Sequence, residues 1–186
     1  MTRLKVFVPL DGSKLAEASL AYLSSLRALG ELDTRLFSVV DEYEPVESLD
    51  FEEAIKREHN LLSTYLRDAA ATIQRELGLV CSTRVAYGKP AIRIAEAIDD
   101  FQPDLVVIST HGRAGATRWR LGSVADKVIR TSRCNLLVIG PNAAKAAESF
   151  PETSHAFRTI LLPLDGSDLA EEAIPTALRF ADRYGS

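Results

Sequence analysis

The sequence predicts an α/β fold, a doubly wound five-stranded parallel sheet, and three observations carry that expectation. Short apolar runs at 6–10, 35–40, 82–87, 105–109 and 135–139 alternate with stretches whose apolar residues recur at helical spacing. Strands separated by helices in this way pair in parallel through right-handed crossovers. The glycine- and arginine-rich turn 109–123 joins one such strand to one such helix, beyond a strand's carboxyl end, where these sheets bind ligands.

Composition narrows the class. The chain has 186 residues, 46% hydrophobic and 26% charged, which fits a globular protein with a substantial core. A net charge of −4 argues against general affinity for nucleic acid. No apolar run approaches the ~20 residues of a membrane span, and the opening residues run straight into a strand. The expected location is the cytoplasm. Cys81 and Cys134 flank strand-like runs without metal-ligand spacing and read as small core residues.

The elements follow in order. Val6–Leu10 is the first strand, and Asp11-Gly12 ends it. A helix over 14–29 sets Leu15, Ala18, Tyr22, Leu26 and Leu29 on one face. After the strand 35–40, the acidic stretch 41–50 reads as a loop. A long helix over 51–77 then turns Leu62, Tyr65, Leu66, Ala69, Ile73 and Leu77 inward. The strand 82–87 leads through Gly88-Lys-Pro90 into a helix to Asp99, with Pro90 tolerated in its first turn. The strand 105–109, the helix after Gly122 and the strand 135–139 complete the set.

The turn between the fourth strand and the fourth helix carries the chemistry. Uncapped N–H groups at a helix start, with the helix dipole, attract anions. Gly112 and Gly122 permit close backbone approach, and Ser123 adds a hydroxyl. Six bases and one acid lie in 112–133, whereas 41–53 holds seven acids and no base. A phosphate cradle for a nucleotide follows; a solvated basic helix face is the plainer alternative. Asp11, at the end of the first strand, suits a ligand contact and a local Asp-Gly turn alike. His111 lacks a nucleophile and an orienting group, so it orders the turn or touches ligand. His59 and His155 read as exposed, Trp119 as an anchor for the turn, and Lys127 and Arg130 as surface charges.

Pro9-Leu-Asp-Gly-Ser-Lys-Leu-Ala-Glu17 recurs as Pro163-Leu-Asp-Gly-Ser-Asp-Leu-Ala-Glu171, preceded by a second apolar run at 160–164. This internal repeat divides the chain into a full module over 1–142, a linker over 143–156 and a partial second repeat over 157–186, one strand and one helix. Some 30 residues cannot build a core of their own. The segment therefore frays or docks on a sheet edge, and its apolar run favours docking.

With these motifs in place, the chain resembles the universal stress protein family. The resemblance rests on Val8–Ser13, Ser38–Asp41, Gly88–Pro90 and the turn 109–123, and covers roughly 1–140. Family members that bind ATP show G-x2-G-x9-G-[ST] at the turn; Gly112 and Gly122-Ser123 fit, with Ser109 in place of the first glycine. The resemblance implies strand order 3-2-1-4-5 in an adenine nucleotide alpha hydrolase-like fold, and a homodimer paired through the fifth strand. It implies ATP, with or without Mg²⁺, held by Pro9, Leu10, Asp11, Val39, Ser109, His111, Gly112, Arg113, Gly122, Ser123 and Val124. Pro9 and Ser109 would lie near ribose, Asp11 and the Val39 backbone near adenine, and the turn residues near phosphate. A nucleotide-binding regulatory module in the stress response is the expected function. The alternatives are an interaction protein without nucleotide and a weak ATPase, though no P-loop is present.

Overall fold

The computed structural model describes residues 3–42, 51–110, 122–140, 142, 157 and 159–186. Its sheet is formed by β1 (Arg3–Pro9), β2 (Glu31–Val40), β3 (Cys81–Tyr87), β4 (Leu105–Ser109) and β5 (Asn135–Ile139). Helices α1 (Lys14–Leu26), α2 (Phe51–Leu77), α3 (Pro90–Phe101) and α4 (Ser123–Thr131) connect them, with a 3-10 turn at Arg27–Leu29. All pairings are parallel, and the order is β3-β2-β1-β4-β5, as the resemblance implied.

Central strands are buried on both faces, so their sequence is apolar without a break and the two faces separate by alternation. Val6 and Val8 of β1 join Leu23, Leu26, Leu66 and Ile73 of α1 and α2 in one core layer. Phe7, between them, points the other way and packs with Phe37, Ile94, Ile98 and Val128 in the layer beneath α3 and α4. Its ring lies 5.3 Å from that of Phe37.

The fourth and fifth strands and α2 have the expected bounds, while β2 begins four residues earlier, at Glu31. Glu31-Leu-Asp-Thr34 alternates polar with apolar; Leu32 and Thr34 are buried, and the charges point outward. The expected face of α1 holds in part: Leu26 is buried in the core layer and Tyr22 and Leu29 pack against it. Ala16, Ser19, Ala21, Leu23 and Ser25 are buried beside Leu26, whereas Leu15 and Ala18 are only half-buried. Small side chains let this helix lie close to the sheet, so the inward face is wider than the large apolar residues alone mark. Cys81 and Cys134 are half-buried free thiols that pack at the border of the two core layers. Burial raises both pKa values, that of Cys81 to about 11.

The C-terminal segment does not form the expected strand. Residues 159–167 lie outside any strand, and two helices follow, α5 (Asp168–Glu171) and α6 (Ile174–Tyr184). A strand needs a paired neighbour for its backbone groups, and none is present among the described residues. The break between the helices has a local cause. Pro175 occupies the position of Ala21 in the repeat; it lacks an N–H and its ring clashes with the carbonyl four residues back, so the helix restarts with proline in its first turn.

This segment packs on the module through aromatic residues. Phe180 joins the core layer of α1 and α2. Phe157 meets Tyr22, Phe180 and Tyr184 at ring-centroid distances of 6.3, 5.1 and 4.9 Å. The Tyr184 hydroxyl donates to the Ser25 carbonyl at 2.6 Å. Phe180 corresponds in the repeat to Leu26, which faces the sheet. The segment thus spends its would-be sheet face on the module, at α1 and the 3-10 turn and beside the start of the edge strand β5.

Burial pushes the Tyr184 phenol up to about 12 from 10.0, the nearby Arg183 charge opposing the shift. The neutral phenol is the form that packs, so its contribution is complete below pH 10 and is lost as pH rises from 10 to 12. We expect the packing of 157–186, followed by near-ultraviolet circular dichroism of the tyrosines, to loosen across that window. Tyr184→Phe, which cannot ionise, should cost about 1 kcal/mol at pH 7 and remove this part of the alkaline transition.

Candidate functional site

A crevice opens where β1 and β4 end side by side. Their ladder pairs Val6 with Leu105 and Phe7 with Val106. Helices α1 and α2 cover one sheet face and α3 and α4 the other, so the connections leaving β1 and β4 part to opposite sides. The gap is a cavity of about 320 Å³, within the range of small-molecule pockets. Pro9, Leu10, Asp11, Val39, Ser109, Gly122, Ser123 and Val124 all line it. His111, Gly112 and Arg113, with Trp119, lie outside the described residues.

The β1–α1 turn is built locally. An Asp11 carboxylate oxygen accepts the Ser13 N–H at 2.9 Å, and the Ser13 hydroxyl accepts the Ala16 N–H at 3.2 Å, capping α1. Gly12 sits at φ +80°, a conformation natural to glycine. The repeat reproduces this away from any sheet. Ser167 N–H donates to Asp165 at 2.9 Å, Ala170 N–H to Ser167 at 3.2 Å, and Gly166 has φ +82°. The Ser167 hydroxyl and then its N–H hold the Asp165 carboxyl below its ordinary pKa. Asp11 therefore has a turn role that owes nothing to a ligand, and it also faces the cavity.

The second wall is a strand end with open backbone groups. In a parallel sheet, alternate residues address alternate neighbours. Phe37 addresses β1, its carbonyl accepting the Leu10 N–H at 2.8 Å, and Val40 addresses β3, its carbonyl accepting from Gly88 at 3.0 Å. Val39 thus turns its N–H and carbonyl toward β1's side, beyond β1's last residue, Pro9. Ser38 fixes the chain beside it by donating its hydroxyl to the Leu10 carbonyl.

The third wall is the start of α4. Gly122 is the N-cap, and no side chain among the described residues caps the helix. Its own N–H donates to the Thr110 carbonyl at 2.7 Å. Gly122 accordingly serves as a tie that closes the turn, and the donors facing the cavity come from the first helical turn, at Ser123, Val124 and Ala125. Arg130 pairs with Asp126 at 3.0 Å on the helix exterior, a surface charge as its position suggested.

Further lining residues, Pro90, Ile94 and Ala125 among them, were not singled out as site residues by the sequence. Pro90 lies in a recognised motif and Ile94 is one turn on, so their spacing carried a signal. Ala125 follows from the helix start by the same logic. Among the described residues no group of three or more His, Cys, Asp or Glu is placed to hold a metal ion. None of their helices is long and apolar enough to cross a membrane.

Comparison with known proteins agrees with this geometry. The sequence model of the universal stress protein family matches residues 2–140. The chain belongs to that family. It is 28% identical over 139 residues to universal stress protein MJ0531 of Methanocaldococcus jannaschii, covering 73% of this chain and 81% of that protein. A solved universal stress protein from Archaeoglobus fulgidus shares the fold over 98% of this chain and 64% of its own length, with TM-score 0.74 and 18% identity. A universal stress protein family member from Arabidopsis thaliana, solved with AMP bound, shares it with TM-score 0.52 and 19% identity, over 76% of this chain and 94% of that one.

The shared turn sequence separates local from tertiary roles. Ser13→Ala should lower unfolding free energy in urea by about 1 kcal/mol, a typical N-cap loss. Ser167→Ala, which caps only the four-residue α5, should leave the midpoint within about 0.5 kcal/mol of wild type.

Proposed function

We propose that this universal stress protein is a regulatory module that binds an adenine nucleotide, ATP with or without Mg²⁺, in the crevice between 9–13 and 109–124. The observation that carries the reading is the uncapped start of α4, opening into the same cavity as the outward-facing backbone of Val39. The two sit at different walls and suit the two ends of a nucleotide. First-turn N–H groups with the helix dipole favour phosphate. A donor and an acceptor side by side on Val39 suit the edge of adenine. Ile94, Ile108 and Ala125 supply apolar surface for a planar base, while Pro9, Asp11 and Ser109 border the space left for ribose. His111, Gly112 and Arg113 complete the phosphate end in this reading. The Arabidopsis protein with bound AMP supplies the ligand class by analogy of fold.

Binding is the whole of the proposed chemistry. Phosphoryl transfer needs a held metal and a positioned water or acceptor, and among the described residues only Asp11 and Asp41 offer carboxylates at this cavity. Asp41 or Asp11 could meet Mg²⁺ carried by the nucleotide. We also read 1–142 as the nucleotide module, 143–156 as linker and 157–186 as a partial second repeat. The edge strand β5, with Val138 37% exposed, is the surface through which two copies would pair. A cytoplasmic protein acting in stress response fits this reading.

Calorimetric titration with ATP and Mg²⁺ tests it. Wild type should bind one nucleotide per chain, and Gly122→Val, which crowds the tie to Thr110, should weaken binding at least about tenfold, ~1.4 kcal/mol. Absence of heat with wild type, or equal binding by both proteins, contradicts the assigned site.

A further inference from the structure

A second concavity lies at the opposite end of the sheet, and the C-terminal helix forms one of its walls. It runs along the amino ends of the strands, past Leu105 and Asn135, where the nucleotide crevice uses the carboxyl ends. A strand of five residues is ~17 Å long, so the two are separate sites. The groove has two parts, of about 590 and 790 Å³, which share Asn135, Thr176 and Phe180.

The two parts differ in chemistry. The first is mostly apolar, walled by Phe157, Ile160, Leu169, Ala173 and Ala177, with Thr159 and the acid Glu172 at its border. The second is charged. Arg3 and Asp104 are already engaged there, Arg3 with Asp33 at 3.6 Å and Asp104 with the Lys5 N–H at 2.8 Å. Arg133, ahead of β5, and Arg179, on α6, form no ion pair among the described residues. Asp99 is the remaining acid of this part and offsets one of them, while Glu172 belongs to the first part, away from the end where a carboxylate would sit. Asn135 and Thr176 add polar groups at the junction.

We propose that this groove binds a small organic carboxylate with an apolar body. The apolar part takes the body, and the guanidinium groups of Arg133 and Arg179 take the carboxylate, whose planar oxygens match their donors. One arginine comes from the module and the other from the C-terminal helix, so an occupied groove ties 157–186 more firmly to the sheet. Each part lies within the volume range of small-ligand pockets, which favours a small molecule over a macromolecule.

Octanoate is the test ligand, with octanol and acetate as controls, titrated into the full chain and followed by amide NMR. Octanoate should shift Asn135, Thr176 and Ala177 at millimolar concentration or below. Octanol, without charge, and acetate, without body, should each bind at least about tenfold more weakly, ~1.4 kcal/mol. Arg133→Gln and Arg179→Gln are exposed substitutions, and each should weaken octanoate about fivefold, the upper range for one exposed ion pair. AMP should not displace it. Equal binding of octanoate and octanol, unchanged binding by the double variant, displacement by AMP, or no binding at all overturns the proposal.

Discussion

The proposed binding site depends on β1 and β4 lying side by side. The chain enters the sheet at its centre and builds outward through β2 and β3. It must then return across the sheet to lay β4 against the free side of β1. Because crossovers keep one hand, reversing direction moves the helices to the other face. The helix after β1 therefore packs above the sheet and the helix after β4 below it. With the following helices on opposite faces, a crevice at the ends of these two strands follows from topology before any side chain is specified.

Side chains then decide what the crevice can hold. The locally encoded Asp-Gly-Ser turn carries the chain away from β1, and Ser38 and Phe37 clasp Leu10 so that the strand end is fixed. The tie from Gly122 to Thr110 performs the same service for β4 and α4. These bonds hold backbone groups rather than side chains at the site. That arrangement suits recognition of a base edge and of phosphate oxygens, and it provides little for acid–base chemistry.

The sequence disclosed most of this because the relevant signals are local. The apolar run 105–109, the helix period of 51–77 and the turn 9–13 each report a structure determined within a few residues. The turn shows this most plainly, since Asp165–Ser167 adopts the same geometry with no sheet beside it. What the sequence concealed depends on partners elsewhere in the chain. The run 160–164 has a strand's composition, but strand structure requires a neighbour, and the segment lies unpaired. The large apolar residues mark only part of the inward face of α1, because close approach to the sheet also favours Ala16 and Ser19. Tyr22 packs against this core and also meets Phe157, a contact between residues far apart in sequence. That Gly122 spends its N–H on Thr110 could not be read from the glycine spacing either.

The central claim is that an adenine nucleotide spans the gap from the Val39 backbone to the first turn of α4. Amide NMR of the full chain, titrated with ATP, measures this most directly. The account predicts saturable shifts concentrated at Val39, Ser123, Val124 and Ala125, with Arg133 and Thr176 unmoved. Shifts confined to residues outside the crevice, or saturation with Val39 and the α4 start unaffected, would contradict it.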